Sequence, residues 1–368
     1  MSAALDLAFM REALALAARG RHSTSPNPAV GCVLVRDGAV VARGYHERAG
    51  AAHAEVRALC AAGAAARGAT AYVSLEPCNH HGRTGPCTEA LIEAGIARVV
   101  YACDDPNPQV AGQGAARLRA AGIDVTAGVA AAEAVVLNRG FFKRMRSGRP
   151  FVRIKLAMSL DARVALASGE SQWITGPAAR AEVQRLRAEA CAVVTGSATV
   201  LADDPALTVR DPAFAMAGRQ PRRVIVDRRL RTPPAARLFT LPGETRVLTE
   251  SDDPERLAPL RASGAVVECF APGALQPDTV LAHLAPLGVN EVLVEAGPTL
   301  AGAFLVARAC DELVVHLAPK LLGLAARTAF EIQSPTRLSD AFGLDLVSST
   351  PVGDDIALVF TPRSRSQE

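Results

Sequence analysis

The chain has 368 residues, 49% of them hydrophobic, which is enough for two or three domains with sizeable cores. A net charge of +3 and an aromatic content of 4% argue against a nucleic-acid-binding surface. No run of 18 uncharged apolar residues indicates a membrane-spanning helix. The amphipathic N-terminus is unlike a signal peptide, and the eight cysteines lack the spacing of a disulfide framework, so we expect a cytoplasmic protein.

In the first half of the chain, predicted strands alternate with predicted helices. Apolar spacing predicts helices at residues 5–19, 53–67, 87–94 and 113–121. Apolar runs predict strands at 30–35, 39–42, 70–75, 98–102 and near Val125, the first two forming a hairpin around Asp37-Gly38. This alternation implies a sheet covered by helices. We interpret the basic stretch 141–150 as a solvated connector, so the predicted domains are residues 1–147 and 148–368.

The second half contains a longer series of predicted strands. They are expected at residues 151–157, 192–195, 224–226, 246–248, 265–269, 292–295, 313–317, 344–347 and 356–360. Helices are expected at 177–190 and 300–307. Residues 296–299 join a strand to a helix, and such a joint can bind phosphate through backbone N–H groups. The same residues are also compatible with an ordinary tight turn.

One group of residues carries a specific chemistry. His53-Ala54-Glu55 is followed by Pro77-Cys78 and then by Cys87, which gives three good zinc ligands. Zinc lowers the pKa of bound water to about 7, and Glu55 can move the water proton to a substrate nitrogen and to leaving ammonia. The order matches the H-x-E…P-C-x-x-C signature of zinc nucleobase deaminases, with the two-residue spacer expanded to eight. A structural zinc site is the alternative interpretation.

Further motifs accompany this group in both halves. In the first half they are Asn27-Pro28-Ala29-Val30-Gly31, the expanded loop 77–87 containing His-Gly-Arg-Thr, and Asp105-Pro106-Asn107-Pro108. In the second half they are the segments 155–161 (KLAMSLD), 171–175 (SQWIT), 202–210 (ADDPALTVR) and 295–300 (EAGPTL). With these motifs the chain resembles, over nearly its whole length, the bifunctional riboflavin-biosynthesis deaminase–reductase family. The expanded cysteine loop is the most specific part of this resemblance.

The resemblance implies a fold and two reactions. The fold is α/β, with an N-terminal cytidine-deaminase-like three-layer α/β/α domain and a C-terminal dihydrofolate-reductase-like α/β domain. The first reaction is hydrolytic deamination of 2,5-diamino-6-(5-phosphoribosylamino)pyrimidin-4-one to 5-amino-6-(5-phosphoribosylamino)uracil. The second is NADPH-dependent reduction of the ribosyl arm to a ribityl arm. The implied cofactors are zinc and NADPH, the substrate is a small phosphoribosyl pyrimidine, and we expect a homo-oligomer, either a dimer or a tetramer.

The resemblance also assigns site residues. It implies that Glu55 is the proton shuttle and that the zinc ligands are His53, Cys78 and Cys87. The residues that it places against the deaminase substrate are Asn27, His46, His80, Arg83, Asp105 and Asn107. The residues that it places at the NADPH site are Ala157, Trp173, Thr199, Asp203, Gly297, Pro298 and Thr299. Those that it places against the reductase substrate are Ser171, Arg187, Leu207, Arg210 and Glu295.

Some of these assignments have alternatives. A surface or supporting role is open for His46 and His80, and a solvated helix face is open for Arg187. The chain departs from the family where it has Ala162 and Ala296 in place of Gly, and Gly85 in place of Pro. Two other functions also stay open from the sequence: a nucleic-acid base deaminase with a C-terminal binding module, and a reductase whose zinc domain is only structural.

Overall fold

Two separate β-sheets organise the chain, one within Met1–Arg149 and the other within Pro150–Glu368. The structure is a computed structural model and describes residues 2–80, 85–107 and 111–363. Within these ranges no helix is both long enough and apolar enough to cross a membrane.

The first unit is built on a five-stranded sheet with the order β2-β1-β3-β4-β5. Its strands are β1 (Gly31–Arg36), β2 (Ala39–Tyr45), β3 (Thr70–Val73), β4 (Arg98–Tyr101) and β5 (Asp124–Ala127). Its helices are α1 (Ala3–Arg19), α2 (Ala54–Ala62), α3 (Cys87–Glu93), α4 (Gln113–Ala120), α5 (Ala131–Leu137) and α6 (Arg139–Ser147). Strand β1 runs antiparallel to both of its neighbours, whereas β3, β4 and β5 are parallel.

Side chains on the two faces of this sheet enter two different cores. Along β1, Cys32 and Leu34 pack with residues of α2, α3 and α4, whereas Val33 and Val35 pack with residues of α1 and α5. Successive residues of a strand point to opposite faces, so a strand covered on both sides is apolar throughout. The arrangement confirms the expected three-layer α/β/α unit.

The stretch interpreted as a solvated connector is mostly a helix, so that interpretation was wrong. Helix α6 buries Phe141 and Phe142, which pack near Leu75. The Arg146 guanidinium lies 5.0 Å from the centre of the Phe142 ring. The surrounding basic residues obscured the apolar face formed by Phe141 and Phe142. Burial of this face packs the short amphipathic helix against the rest of the unit.

The second unit is built on a nine-stranded sheet with the order β11-β10-β9-β8-β12-β6-β13-β16-β15. Its first strands are β6 (Phe151–Ser159), β7 (Arg163–Ala165), β8 (Ala192–Gly196), β9 (Arg222–Val226), β10 (Thr245–Thr249) and β11 (Val266–Cys269). The later strands are β12 (Glu291–Val294), β13 (Glu312–Ala318), β14 (Arg327–Thr328), β15 (Leu344–Val352) and β16 (Asp355–Pro362). Neighbouring strands from β11 to β13 in this order are parallel. Strand β16 pairs antiparallel with both β13 and β15, and β7 pairs with β14 in a separate two-stranded sheet.

Helices cover both faces of the larger sheet. They are α7 (Pro177–Glu189), α8 (Ser197–Asp203), α9 (Pro254–Ala262), α10 (Pro277–Leu284) and α11 (Pro298–Val306). Val292 and Val294 of β12 face a core that includes residues of α10 and α11, whereas Leu293 packs with Leu186 of α7. In a parallel sheet of this kind, ligands bind outside the carboxyl ends of the strands.

The turn after β6 contains one of the departures from the family. Ala162 has a φ of 56°, in the left-handed region where glycine is favoured. The carboxylate of the preceding Asp161 accepts the backbone N–H of Gly323 at 2.8 Å and that of Leu322 at 3.1 Å. These bonds hold the turn in place, so the alanine adopts a conformation that costs about 1 kcal/mol or more relative to the right-handed region.

Candidate active sites

The three predicted zinc ligands meet in the first unit. His53 lies immediately before α2, Cys78 follows β3, and Cys87 is the first residue of α3. His53 Nδ1 is 3.3 Å from Cys87 Sγ and 3.5 Å from Cys78 Sγ, and the three ligand atoms all lie within 4.8 Å of one another. The N–H of Cys87, at the start of α3, points to Cys78 Sγ at 3.4 Å. One imidazole nitrogen and two sulfurs form a donor set that suits zinc.

The charges around this group favour a thiolate and a proton carrier. The hydrogen bond from Cys87 and that with His53 lower the pKa of the Cys78 thiol to about 4, whereas the pKa of Cys87 is raised. Glu55, in the first turn of α2, is 3% exposed, and burial together with the charge of Cys78 raises the pKa of its carboxyl to about 7. A carboxyl that titrates near neutrality is suited to carrying protons.

Two of the residues expected to contact the deaminase substrate, Asn27 and His46, are joined by a hydrogen bond. His46 Nδ1 lies 3.2 Å from the Ala52 carbonyl and therefore donates to it, so Nε2 can accept the Asn27 amide N–H at 3.1 Å. His46 is 3% exposed, and its ring lies edge-on to that of His53 with the centres 5.3 Å apart. Because it is buried and both nitrogens are engaged, a surface role for His46 is wrong, and its geometry fits the orientation of Asn27.

Another part of the expected substrate set lies on the loop after β4. The Asp105 carboxylate accepts the Asn107 N–H at 2.8 Å, and burial raises its pKa to about 6. The half-buried His80 has an Nδ1 atom without a hydrogen-bond partner among the described residues. The predicted phosphate contact Arg83 lies outside the described residues.

The reductase candidates all line one cleft of the second unit. Its volume is about 1220 Å³, more than the 300–1,000 Å³ typical of a pocket for one small ligand. The twelve residues predicted for the cofactor and the substrate are all part of its lining. Ser171 Oγ donates to Asp203 Oδ1 at 3.3 Å, which links a predicted substrate residue to a predicted cofactor residue.

A buried ion pair lies in this cleft. Arg187 Nε and Nη2 donate to the two carboxylate oxygens of Glu295 at 2.6 and 2.8 Å, with side chains 11% and 12% exposed. Burial opposes ionisation of Glu295, but the charge of Arg187 keeps the pKa of its carboxyl below the usual value. A solvated helix face for Arg187 is therefore wrong. The half-buried Lys155, which sequence reasoning missed, also lines the cleft, and burial lowers the pKa of its ammonium group.

Arginines are concentrated on the cleft beyond those predicted. Burial lowers the pKa of Arg210, and the positive charges of Arg187 and Arg237 lower it further. The backbone N–H of Arg237 donates to Asp204 Oδ1 at 2.8 Å, which brings Arg237 to the cleft. No local sequence pattern indicates this long-range contact. Such a concentration of like charges is stabilised by an anion.

Other residues of the cleft have features that suit a dinucleotide. The Gly297 N–H precedes α11 and donates to Thr199 Oγ1 at 3.2 Å, while the Trp173 ring is 63% exposed. After β9, Arg229 and Arg231 also line the cleft, and Arg231 donates to Ser197 Oγ at 3.1 Å. A phosphorylated dinucleotide needs this combination of flat apolar surface, backbone N–H groups and cations.

Comparison with known proteins covers both units. The model for the cytidine and deoxycytidylate deaminase zinc-binding region matches residues 4–103, and that for the RibD C-terminal domain matches 150–358. The riboflavin biosynthesis protein RibD of Escherichia coli K12 is 50% identical over 362 residues, which are 96% of this chain and 98% of the relative. The solved Acinetobacter baumannii RibD, form 1, has a TM-score of 0.92 at 43% identity and covers 99% of this chain and 100% of that one.

A further solved relative is named for both reactions. The diaminohydroxyphosphoribosylaminopyrimidine deaminase/5-amino-6-(5-phosphoribosylamino)uracil reductase of Thermotoga maritima has a TM-score of 0.87 at 32% identity. It covers 98% of this chain and 99% of its own.

A cytidine-deaminase zinc region followed by a reductase domain of the dihydrofolate-reductase type defines a bifunctional deaminase–reductase. The chain belongs to the RibD family, and it is a deaminase and reductase of riboflavin biosynthesis with zinc and NADPH as cofactors. The predictions of family, fold class, enzymatic activity and cofactors are confirmed. The alternatives of a nucleic-acid base deaminase and of a purely structural zinc domain are thereby set aside.

Proposed function

We propose that residues 1–147 deaminate 2,5-diamino-6-(5-phosphoribosylamino)pyrimidin-4-one and that residues 148–368 reduce the ribosyl arm of the resulting 5-amino-6-(5-phosphoribosylamino)uracil. The observation that carries this proposal is the convergence of His53, Cys78 and Cys87 next to the buried Glu55. The twelve predicted reductase residues that line the cleft of the second unit support the assignment of the second step. A coupled assay that scores ammonia release and NADPH oxidation separately is the direct test.

In the deaminase unit, we assign His53, Cys78 and Cys87 to hold zinc, because their donor atoms already cluster within 4.8 Å. Zinc in this position supplies the Lewis acidity that activates water at neutral pH. Glu55 takes a proton from the attacking water and passes it to the ring nitrogen and then to the leaving amine. A C–O bond forms at C2 of the pyrimidine, the C2–N bond to the amino group breaks, and ammonia leaves.

The same unit must also orient the pyrimidine. We assign this task to Asn27 and Asp105, whose amide and carboxylate can read the donors and acceptors of the ring. His46 orients Asn27 through the 3.1 Å contact. His80 and Asn107 are assigned to the same pocket, and Arg83, as a cation, suits the substrate phosphate.

In the reductase unit, NADPH supplies the hydride. Arg187 and Arg210 are assigned to the substrate side together with Glu295, Leu207 and Ser171, and Arg210 is the phosphate contact. Reduction of the ribosyl arm would add a hydride at C1′, break the bond from C1′ to the ring oxygen and require a proton at that oxygen. We assign Lys155 as the donor, because it lines the cleft and its pKa is lowered by burial.

The cofactor side of the cleft is assigned to a second set of residues. They are Ala157, Trp173, Thr199, Asp203, Gly297, Pro298 and Thr299. The N-terminus of α11, where backbone N–H groups have no partner within the helix, suits the pyrophosphate. Arg229 and Arg231, at the carboxyl end of β9, offer cations for a further phosphate of the cofactor.

Replacing Arg210 tests the substrate side of the reductase. We expect Arg210→Ala to weaken reduction by about 10- to 150-fold, mainly through a higher KM, because one charge-assisted contact to phosphate contributes about 1.5–3 kcal/mol. Ammonia release should not change. The matched control is Arg261→Ala, because Arg261 is exposed on α9 of the same unit and does not line the cleft. Near-normal reduction by Arg210→Ala would contradict the assignment.

We also propose that the protein is a cytoplasmic homo-oligomer, a dimer or a tetramer. All eight cysteines are free of disulfides, which suits a reducing compartment. Strand β15 forms one edge of the larger sheet, with Leu346 58% and Val347 60% exposed. An exposed apolar edge is a typical site for association.

Light scattering tests the association. We expect a mass of two or four chains for the unaltered protein and a lower mass for Val347→Glu, because a charge on the edge opposes burial. The control is Val136→Glu, since Val136 is 66% exposed in the first unit. A monomeric mass for the unaltered protein would rule out the homo-oligomer.

A further inference from the structure

A buried carboxylate joins two loops of the deaminase unit. Glu76 lies between the end of β3 and Cys78 and is 3% exposed. Its Oε2 atom accepts the N–H of Asp105 at 3.3 Å and that of Gly112 at 3.0 Å. Its Oε1 atom accepts the N–H of Ala115 at 3.1 Å. All three donors are backbone groups of the segment that follows β4.

These bonds explain how the buried Glu76 side chain is tolerated. A buried carboxyl group without partners is costly, whereas N–H groups aimed at its oxygens satisfy their hydrogen-bonding capacity. The side chain therefore binds Asp105, Gly112 and Ala115 through specific hydrogen bonds, and not only by apolar contact. The backbone N–H of Glu76 donates to the Cys103 carbonyl at 3.0 Å, so both the backbone and the side chain of Glu76 bind the chain that follows β4.

The two loops are also packed backbone against backbone. A Cβ atom added to Gly114 would lie 2.0 Å from the Pro77 carbonyl oxygen and 3.2 Å from Glu76 Oε1. No side chain fits in that gap. The residue immediately before Cys78 is thus held directly against the start of α4.

The loops that Glu76 joins carry different parts of the proposed site. One carries Cys78, assigned to the metal, and the other carries Asp105, assigned to the pyrimidine ring. Because β3 and β4 are parallel neighbours, both loops leave the same edge of the sheet. The position of Asp105 relative to the metal ligands depends on this connection, so a displaced loop would hold the pyrimidine ring less tightly.

We propose that Glu76 is a positioning residue of the deaminase, which fixes the pyrimidine-reading loop against the metal-ligand loop. The proposal rests on the deaminase assignment made above. Glu76 acts through the backbone of Asp105 and takes no part in the chemistry. Its loss should therefore change how the substrate is held more than how water is activated.

The first test is Glu76→Gln, which replaces one acceptor oxygen by an NH₂ group facing backbone donors. We expect the KM for ammonia release to rise by about 10-fold or more, with kcat changed by less than about 3-fold. Zinc content should stay at one per chain, and reduction of the deaminated intermediate should not change. The matched control is Glu133→Gln, since Glu133 is an exposed partner of Arg11 in the same unit.

A double-mutant cycle with Asp105→Asn identifies the route of the effect. If Glu76 acts through Asp105, the double variant should have a KM close to that of the more impaired single variant. Effects that multiply would overturn the proposal, as would a Glu76→Gln protein with unchanged KM. If Glu76→Gln loses zinc, Glu76→Asp decides: a raised KM at full zinc content supports the proposal, and an unchanged KM overturns it. If the unaltered protein releases no ammonia from the pyrimidine, the deaminase assignment itself fails.

Discussion

The Glu55→Gln variant should keep one zinc per chain, but its rate of ammonia release should fall by about 10²–10⁴-fold, because a carboxamide cannot carry protons. The side chain is 3% exposed, and the amide has nearly the same shape, so the fold and the three metal ligands should be retained. Ammonia release and metal content measured on the same preparation would check this. NADPH-dependent reduction of the already deaminated intermediate should proceed at the normal rate.

The control for this variant is Glu47→Gln, since Glu47 is a partly exposed partner of Arg57 in the same unit. It should behave like the unaltered protein in both assays. Retained deamination in Glu55→Gln would remove Glu55 from the mechanism. Loss of both activities in a folded protein would instead mean that the two reactions share one site.

Cys78→Ser should abolish zinc binding and reduce ammonia release by about 10³-fold or more, because the metal contributes several kcal/mol of charge stabilisation. A chelator should have the same effect on the unaltered protein, and added zinc should reverse it. Reduction should persist in both cases, since the cleft of the second unit contains none of the proposed ligands. Metal analysis and the two separate assays provide the measurement.

Cys60→Ser is the matched control, because Cys60 is an exposed cysteine in the same unit and is not in the ligand group. It should keep zinc and both activities. A Cys78→Ser protein with full zinc content and normal ammonia release would exclude Cys78 as a ligand.

The ligand group was predictable from sequence because its members flank regular elements in a compact pattern. His53 and Cys87 lie at the starts of α2 and α3, and Cys78 follows β3, so local spacing determines where each side chain can point. The strands predicted at 30–35 and 98–102 and observed at Gly31–Arg36 and Arg98–Tyr101 were similarly clear, because buried strands are continuous apolar runs. Glu76 could not be recognised, since its partners are backbone groups on a distant loop.

Other features depended on long-range packing. Lys155 approaches Glu295 only because β6 and β12 pair in parallel, which no local pattern specifies. Helix α6 was missed because arginines and a lysine surround its two buried phenylalanines. Helices α5, α8, α9 and α10 were also missed, since short helices with weak periodicity depend on tertiary contacts for their stability.

The two sheets of this protein belong to one continuous chain, which fixes the stoichiometry of the two activities. Every molecule synthesised carries one deaminase unit and one reductase unit, whatever the level of expression. A change in the amount of this protein therefore changes the capacity for both steps by the same factor. Within this protein, the balance between the two steps is set by the turnover rates of the two units.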